Sequence, residues 1–122
     1  MADIPALLER YAACVSAGDK AGIVALYAPD AEIEIPVGGG IHRGIDAIRS
    51  FYFDNELAQD LTVTGNACVA GREAAVPMRA VVTQEGRRME LDVIDVVEVD
   101  DEGRFRRLRA FFDLEGARPL AD

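Results

Sequence analysis

Leu91-Asp92-Val93-Ile94-Asp95-Val96-Val97-Glu98-Val99 is the stretch on which the reading of this chain turns. Its β-branched residues alternate with polar ones, which predicts a strand with Leu91, Val93, Asp95, Val97 and Val99 on one face. One carboxyl group interrupts an otherwise apolar row. If that row lines the core, Asp95 must be paired, hydrogen-bonded, or held neutral by a raised pKa. The sequence leaves two readings open: a carboxylate satisfied by backbone or an arginine, or a neutral acid that donates a hydrogen bond. On the opposite face, Ile94 and Val96 lie among Glu90, Asp92 and Glu98. An apolar centre with an acidic rim fits packing against a second sheet, so a homodimer is expected.

Outward from this strand, the chain from about Leu61 onward reads as strand throughout, with turn signals at Ala70-Gly71-Arg72, Glu85-Gly86 and Asp100-Asp101-Glu102-Gly103. Four antiparallel strands are expected there. Toward the N-terminus, Asp3 is a candidate N-cap and Pro5 sits in a first turn, followed by Ile4, Leu7, Leu8, Tyr11 and Val15 at helical spacing. Ala17-Gly18-Asp19 ends this helix and caps a second carrying Ile23, Val24, Leu26 and Tyr27, which is expected to stop at Pro29. Ala31 to Val37 alternates as a strand, with Ile33 and Ile35 inward and Glu32 and Glu34 outward. Gly38-Gly39-Gly40 makes a turn, and Gly44 to Leu57 returns to helical spacing through Ile45, Ile48, Phe51 and Tyr52. The order predicts one α+β domain over residues 1–122, with three N-terminal helices packed in a curved, mainly antiparallel sheet. A cavity between sheet and helices is the natural place for a small ligand.

Composition narrows the functions. The 122 residues include 22 acids and 13 lysines or arginines, a net charge of −9. Such a chain is a poor partner for nucleic acid and suits a neutral or weakly polar ligand. Arg104, Arg106, Arg107 and Arg109 alternate with Phe105, Leu108 and Phe111, which fits a solvated or interface face paired with the excess acids. Cys14 and Cys68 have neither metal-site nor disulfide spacing, so free thiols in a reducing compartment are expected. Met1 to Pro5 lacks a signal pattern, and no run of about 18 apolar residues occurs, so a soluble cytoplasmic protein without membrane contact is expected. His42 has no companion at ligand spacing and reads as a surface or structural residue, and no phosphate loop or dinucleotide fingerprint is present. Neither metal nor cofactor is expected. Tyrosine and carboxyl groups in an apolar pocket are what is left for chemistry.

Glu9-Arg10-Tyr11, Leu26-Tyr27-Ala28-Pro29-Asp30-Ala31, Phe51-Tyr52 and, most specifically, Leu91-Asp92-Val93-Ile94-Asp95-Val96 carry a resemblance that runs over nearly the whole chain. The sequence resembles the Δ5-3-ketosteroid isomerases, within the nuclear-transport-factor-2-like and SnoaL-like group of cone folds. The resemblance implies a steroid-like or phenolic ligand and an oxyanion hole in which Tyr11 and Asp95 donate hydrogen bonds to a ketone oxygen during enolisation. It further implies that Tyr27 and Tyr52 hydrogen-bond around Tyr11 and that Phe112 lies beside the bound rings. By spacing alone, Phe51 and Phe112 are equally ordinary core residues. A homodimer is implied as well.

At one position the chain departs from the family pattern. Where family members carry an aspartate general base before a proline, this chain reads Glu34-Ile35-Pro36, and an isoleucine cannot shuttle a proton. Ile35 therefore reads as pocket wall. Glu34 points to the other face unless a bulge turns it, and Asp54 or Glu56 after the third helix are further substitutes that nothing in the sequence selects. Three functions stay open: an isomerase-like enzyme altered at its base, a binding module for steroids or phenols, and another proton-abstraction, epoxide-opening or polyketide-cyclising activity on the same fold.

Overall fold

The computed structural model describes residues 3–120, so what Met1 and Ala2 contribute to the reading of a leader lies outside it. Helix α1 spans Ile4–Ala17 and begins where the sequence places it, with the Asp3 carboxylate accepting the Ala6 N–H at 3.0 Å. Gly18 closes it in the left-handed region at φ +69°, where its N–H and that of Asp19 reach the Val15 and Cys14 carbonyls. The face carrying Leu7, Leu8, Tyr11 and Val15 is buried. Asp19 then caps α2, Lys20–Val24, by accepting the Gly22 N–H at 2.9 Å.

The second helix is shorter than its spacing predicts, and Tyr27 is not on it. Strand β1 already begins at Tyr27 and runs to Glu34. A five-residue helix has too few internal hydrogen bonds to propagate itself, whereas the Leu26 carbonyl accepts the Phe105 N–H at 2.8 Å and draws the chain into the sheet. Pro29 falls between Tyr27 and Glu32, where the pairing register slips, so its missing N–H breaks no ladder bond. β1 also ends before Val37, whose N–H bonds to the Ala110 carbonyl beyond the cis Ile35–Pro36 peptide. A two-residue strand β2, His42–Arg43, pairs antiparallel with β1 and leads into α3, Ile45–Asp54.

The remaining strands are β3 (Asp60–Val63), β4 (Cys68–Ala70), β5 (Glu73–Gln84), β6 (Arg87–Val99), β7 (Phe105–Phe111) and β8 (Arg118–Pro119). They form one sheet in the order β2-β1-β7-β6-β5-β3, with β4 also on β5 and β8 on β6. Turns at Gly71, Glu85-Gly86 and residues 100–103 fall where the sequence signals them. The first of the four expected strands is instead two, because the ladder breaks opposite Pro77. The Thr64 N–H bonds to the Pro77 carbonyl, and a Cβ on Gly65 would lie 2.9 Å from the Pro77 ring. β8 and the 3-10 helix at Leu114–Gly116 are too short to leave a periodic signal.

This is the cone-like α+β fold that the sequence predicts: three helices against a mainly antiparallel sheet whose β1–β7 contact is parallel. Leu91, Val93, Asp95, Val97 and Val99 all face the core, where Phe105, Leu108, Ile33 and Ile48 are completely buried. α1 packs along β3 and α3 across β1. On the outer side the arginines of β7 find the acids expected of them: Arg109 meets Glu34 at 3.1 Å, and Arg107 meets Glu98 at 3.4 Å.

Candidate active site

Between α1, α3 and the inner face of β5–β7 lies a cavity of about 380 Å³. Its wall is mostly hydrocarbon, from Val15, Leu61, Val82, Leu91 and Val93 among others, with few polar groups. Tyr11 enters from α1, Tyr52 from α3 and Asp95 from β6. These three come from sequence positions far apart, and the strand pairing that sets Asp95 between Val76 and Ala110 brings them to one space.

The tyrosines are linked in a chain. The Tyr52 hydroxyl lies 2.9 Å from that of Tyr11 and 2.7 Å from that of Tyr27. Tyr27 thus reaches Tyr11 through Tyr52, and it stands behind the wall, outside the set of lining residues. Phe105 meets the Tyr11 ring edge-on at 5.7 Å and holds it against the sheet. Burial, reinforced by the neighbouring phenols and by Asp95, pushes all three pKa values well above the ordinary tyrosine range. All three stay protonated, so each has a proton to donate.

Asp95 is 3% exposed, and no hydrogen bond or ion pair reaches its carboxyl among the described residues. Burial alone moves its pKa from 3.8 to about 7. The arginine or backbone partner that the sequence left open is not there. What stands in the cavity is a carboxyl group with unspent hydrogen-bonding capacity.

Ile35 lines the cavity, half-buried, just ahead of Pro36. Glu34 does not: its carboxylate accepts the Gly38 N–H at 3.0 Å and the Arg109 Nε–H at 3.1 Å, and these contacts hold its pKa below the usual value. Of the other two carboxylates, Glu56 lines the cavity and Asp54 does not. Phe112 and Phe51 both line it, and His42 packs against Phe51 at a tilt of 50° with ring centres 5.0 Å apart. Sequence reasoning did not single out Ala80, Val82, Asn55, Leu57 or Leu114 on the same wall. Alternation along Ala74, Val76, Met78, Ala80 and Val82 carries the signal for the β5 pair. The residues after α3 have no such signal, and they are set partly by Lys20, whose ammonium group donates to the Phe53 and Asn55 carbonyls.

Chemically, the site offers proton donors in an apolar enclosure. Donors held in place before charge develops stabilise an oxyanion more than a neutral carbonyl, because they need not reorganise and little water screens them. Among the described residues, no cluster of three or more histidine, cysteine or acidic side chains is placed to hold a metal ion. No helix there is long and apolar enough to cross a membrane.

Comparison with known proteins agrees with this architecture. The SnoaL-like domain matches residues 8–108. Over 112 residues the chain is 37% identical to the Steroid Delta-isomerase of Nocardioides simplex, covering 91% of this chain and 90% of that protein. Among solved structures it is similar to SalBIII, described as an epoxide hydrolase/cyclase-like enzyme in pyran ring formation in the polyether salinomycin. The TM-score is 0.81 at 26% identity, covering 93% of both chains. With the domain matched over most of its length, an isomerase similar in sequence and a cyclase-like enzyme similar in fold, the chain belongs to the SnoaL-like family.

Proposed function

We propose that this protein is a ketosteroid-isomerase-like enzyme that binds a hydrophobic ketone, steroid-like in size and polarity, and stabilises its dienolate. The ketone oxygen accepts hydrogen bonds from the Tyr11 hydroxyl and the protonated Asp95 carboxyl, while Tyr52 orients Tyr11 and Tyr27 orients Tyr52. Ketosteroid isomerase is itself the standard example of a carboxylic acid kept neutral by an apolar site so that it can donate. Phe112 and Ile35 form apolar wall against the ring system. The observation that carries this reading is Asp95, buried in the cavity wall with no partner among the described residues. With Ile35 at the usual base position and Glu34 bound to Arg109, Glu56 is the carboxylate on the wall left to carry the proton.

The test is conjugated-enone absorbance after addition of a β,γ-unsaturated ketosteroid. Turnover should fall by about 100-fold or more in Tyr11→Phe and Asp95→Ala, the usual scale for losing an oxyanion donor. A flat trace at high wild-type concentration overturns catalysis. Ile35 favours a second reading in that event, a binding module for steroids or phenols. Calorimetry with a phenolic steroid decides it, since binding that neither variant weakens rules it out. As a homodimer, the protein would bury Ile94 and Phe111, register neighbours on β6 and β7 that are 48% and 40% exposed in the single chain. A reducing, cytoplasmic setting suits the free thiols of Cys14 and Cys68.

A further inference from the structure

Every ionisable side chain on the cavity wall is an acid. Tyr11 from α1, Tyr52 from α3, Glu56 from the segment after it and Asp95 from β6 are the titratable lining groups, and no lysine, arginine or histidine joins them among the described residues. Tyr27 on β1, behind Tyr52, adds another neutral phenol. An ionised Asp95 therefore has no counter-ion among the described residues. A buried charge without a partner is costly, and a ligand that brings a cation into contact with it removes much of that cost.

We propose that the cavity also takes lipophilic amines, with the apolar body against Val93 and Phe112 and the ammonium group paired with the Asp95 carboxylate. The proposal rests on the reading of the cavity as a ligand site anchored at Asp95. It adds a class with the opposite proton requirement: a ketone or phenol oxygen needs the protonated acid, whereas an ammonium needs the carboxylate. Tyr11 serves both, since a neutral hydroxyl donates to a carboxylate or an enolate oxygen and accepts from an ammonium. Glu56 is exposed, so water screens its attraction for the ammonium and leaves buried Asp95 the stronger partner. Because burial places the Asp95 charge change near pH 7, the balance between the two ligand classes shifts toward the amine as pH rises through neutrality. An alkylammonium stays charged over that range, so the pH dependence belongs to the protein.

Calorimetry with 1-adamantanamine and its neutral isostere 1-adamantanol tests this on the intact protein. Amine affinity should rise roughly 30-fold from about pH 5.5 to about pH 8.5, as the ionised fraction of Asp95 rises, while the alcohol shows no such gain. In Asp95→Asn the amine should lose its advantage over the alcohol together with its pH dependence. Carbon-13 NMR of wild-type Asp95 supplies a measurement that needs no variant: saturating amine should lower its pKa. Amine binding that is flat with pH, or an Asp95 titration unmoved by the amine, overturns the proposal. A phenolic steroid that binds while the amine does not sinks this inference alone. An amine that binds as described while the phenol does not sinks the ketone reading alone, and binding of neither overturns both.

Discussion

Asp95 makes the stability of this protein depend on pH in a direction opposite to that of most carboxylates. Its folded pKa is raised, from 3.8 to about 7, so the native state holds a proton that the unfolded chain releases. Any advantage is complete below about pH 4 and is lost as pH rises through 7, where the folded protein carries a buried charge costing about 4 kcal/mol at most. Asp95→Asn removes the ionisation and keeps the shape. Urea denaturation should show the variant gaining on wild type from about pH 4 to 7 and holding that gain above; a difference that does not vary with pH would contradict the burial argument. Tyr52→Phe acts by a different route. It removes the hydroxyl between Tyr11 and Tyr27 and leaves two buried phenols short of a partner, so stability should fall by about 2 kcal/mol. Asp95 and Tyr11 were legible as candidate site residues, and both line the cavity, because one breaks an apolar strand pattern and both sit in a family motif. Glu56 was not selectable, since an exposed carboxylate after a helix looks the same whether or not a cavity opens beside it.

Among the elements, the contrast between α1 and the segment after it shows when local signals decide. α1 has a cap, a proline in its first turn, one apolar face and a glycine stop, and each acts within a few residues, so spacing alone locates it. Leu26 and Tyr27 continue a helical spacing, yet they pair with β7 about 80 residues away, a competitor invisible to a local reading. The β5–β6 hairpin is the reverse case, with its turn legible at Glu85-Gly86. Glu85 takes φ +52°, a left-handed value that favours asparagine or glycine over glutamate. Glu85→Asn should raise the unfolding free energy by about 0.5–1 kcal/mol, as substitutions suited to their turn commonly do. A thermal midpoint that falls would show that the Glu85 side chain makes a compensating interaction.

At the scale of the whole molecule, the sheet separates two jobs. Its inner face closes the cavity, while its outer face sets paired charges around Ile94, Phe111 and the Arg109 guanidinium, which lies 5.2 Å from the Phe111 ring centre. Exposed ion pairs of this kind contribute little to stability; in the proposed dimer they would fix how two such faces meet. For the proposed dimer, Ile94→Glu should convert a two-chain mass to a one-chain mass in light scattering at micromolar concentration, with an unchanged circular dichroism spectrum. Wild type already of one-chain mass would remove the dimer.

By itself the sequence determined the α+β order of elements, the burial of the Asp95 row, the caps of α1 and the family, because each rests on periodicity, turn chemistry or a contiguous motif. Only the tertiary structure decided that Asp95 meets no arginine, that Tyr27 reaches Tyr11 through Tyr52, that Glu34 belongs to Arg109, and that Glu56 shares the wall. These are contacts between side chains dozens of residues apart. Their existence depends on sheet register and the closure of the cone, and neither is written in any local stretch of the chain.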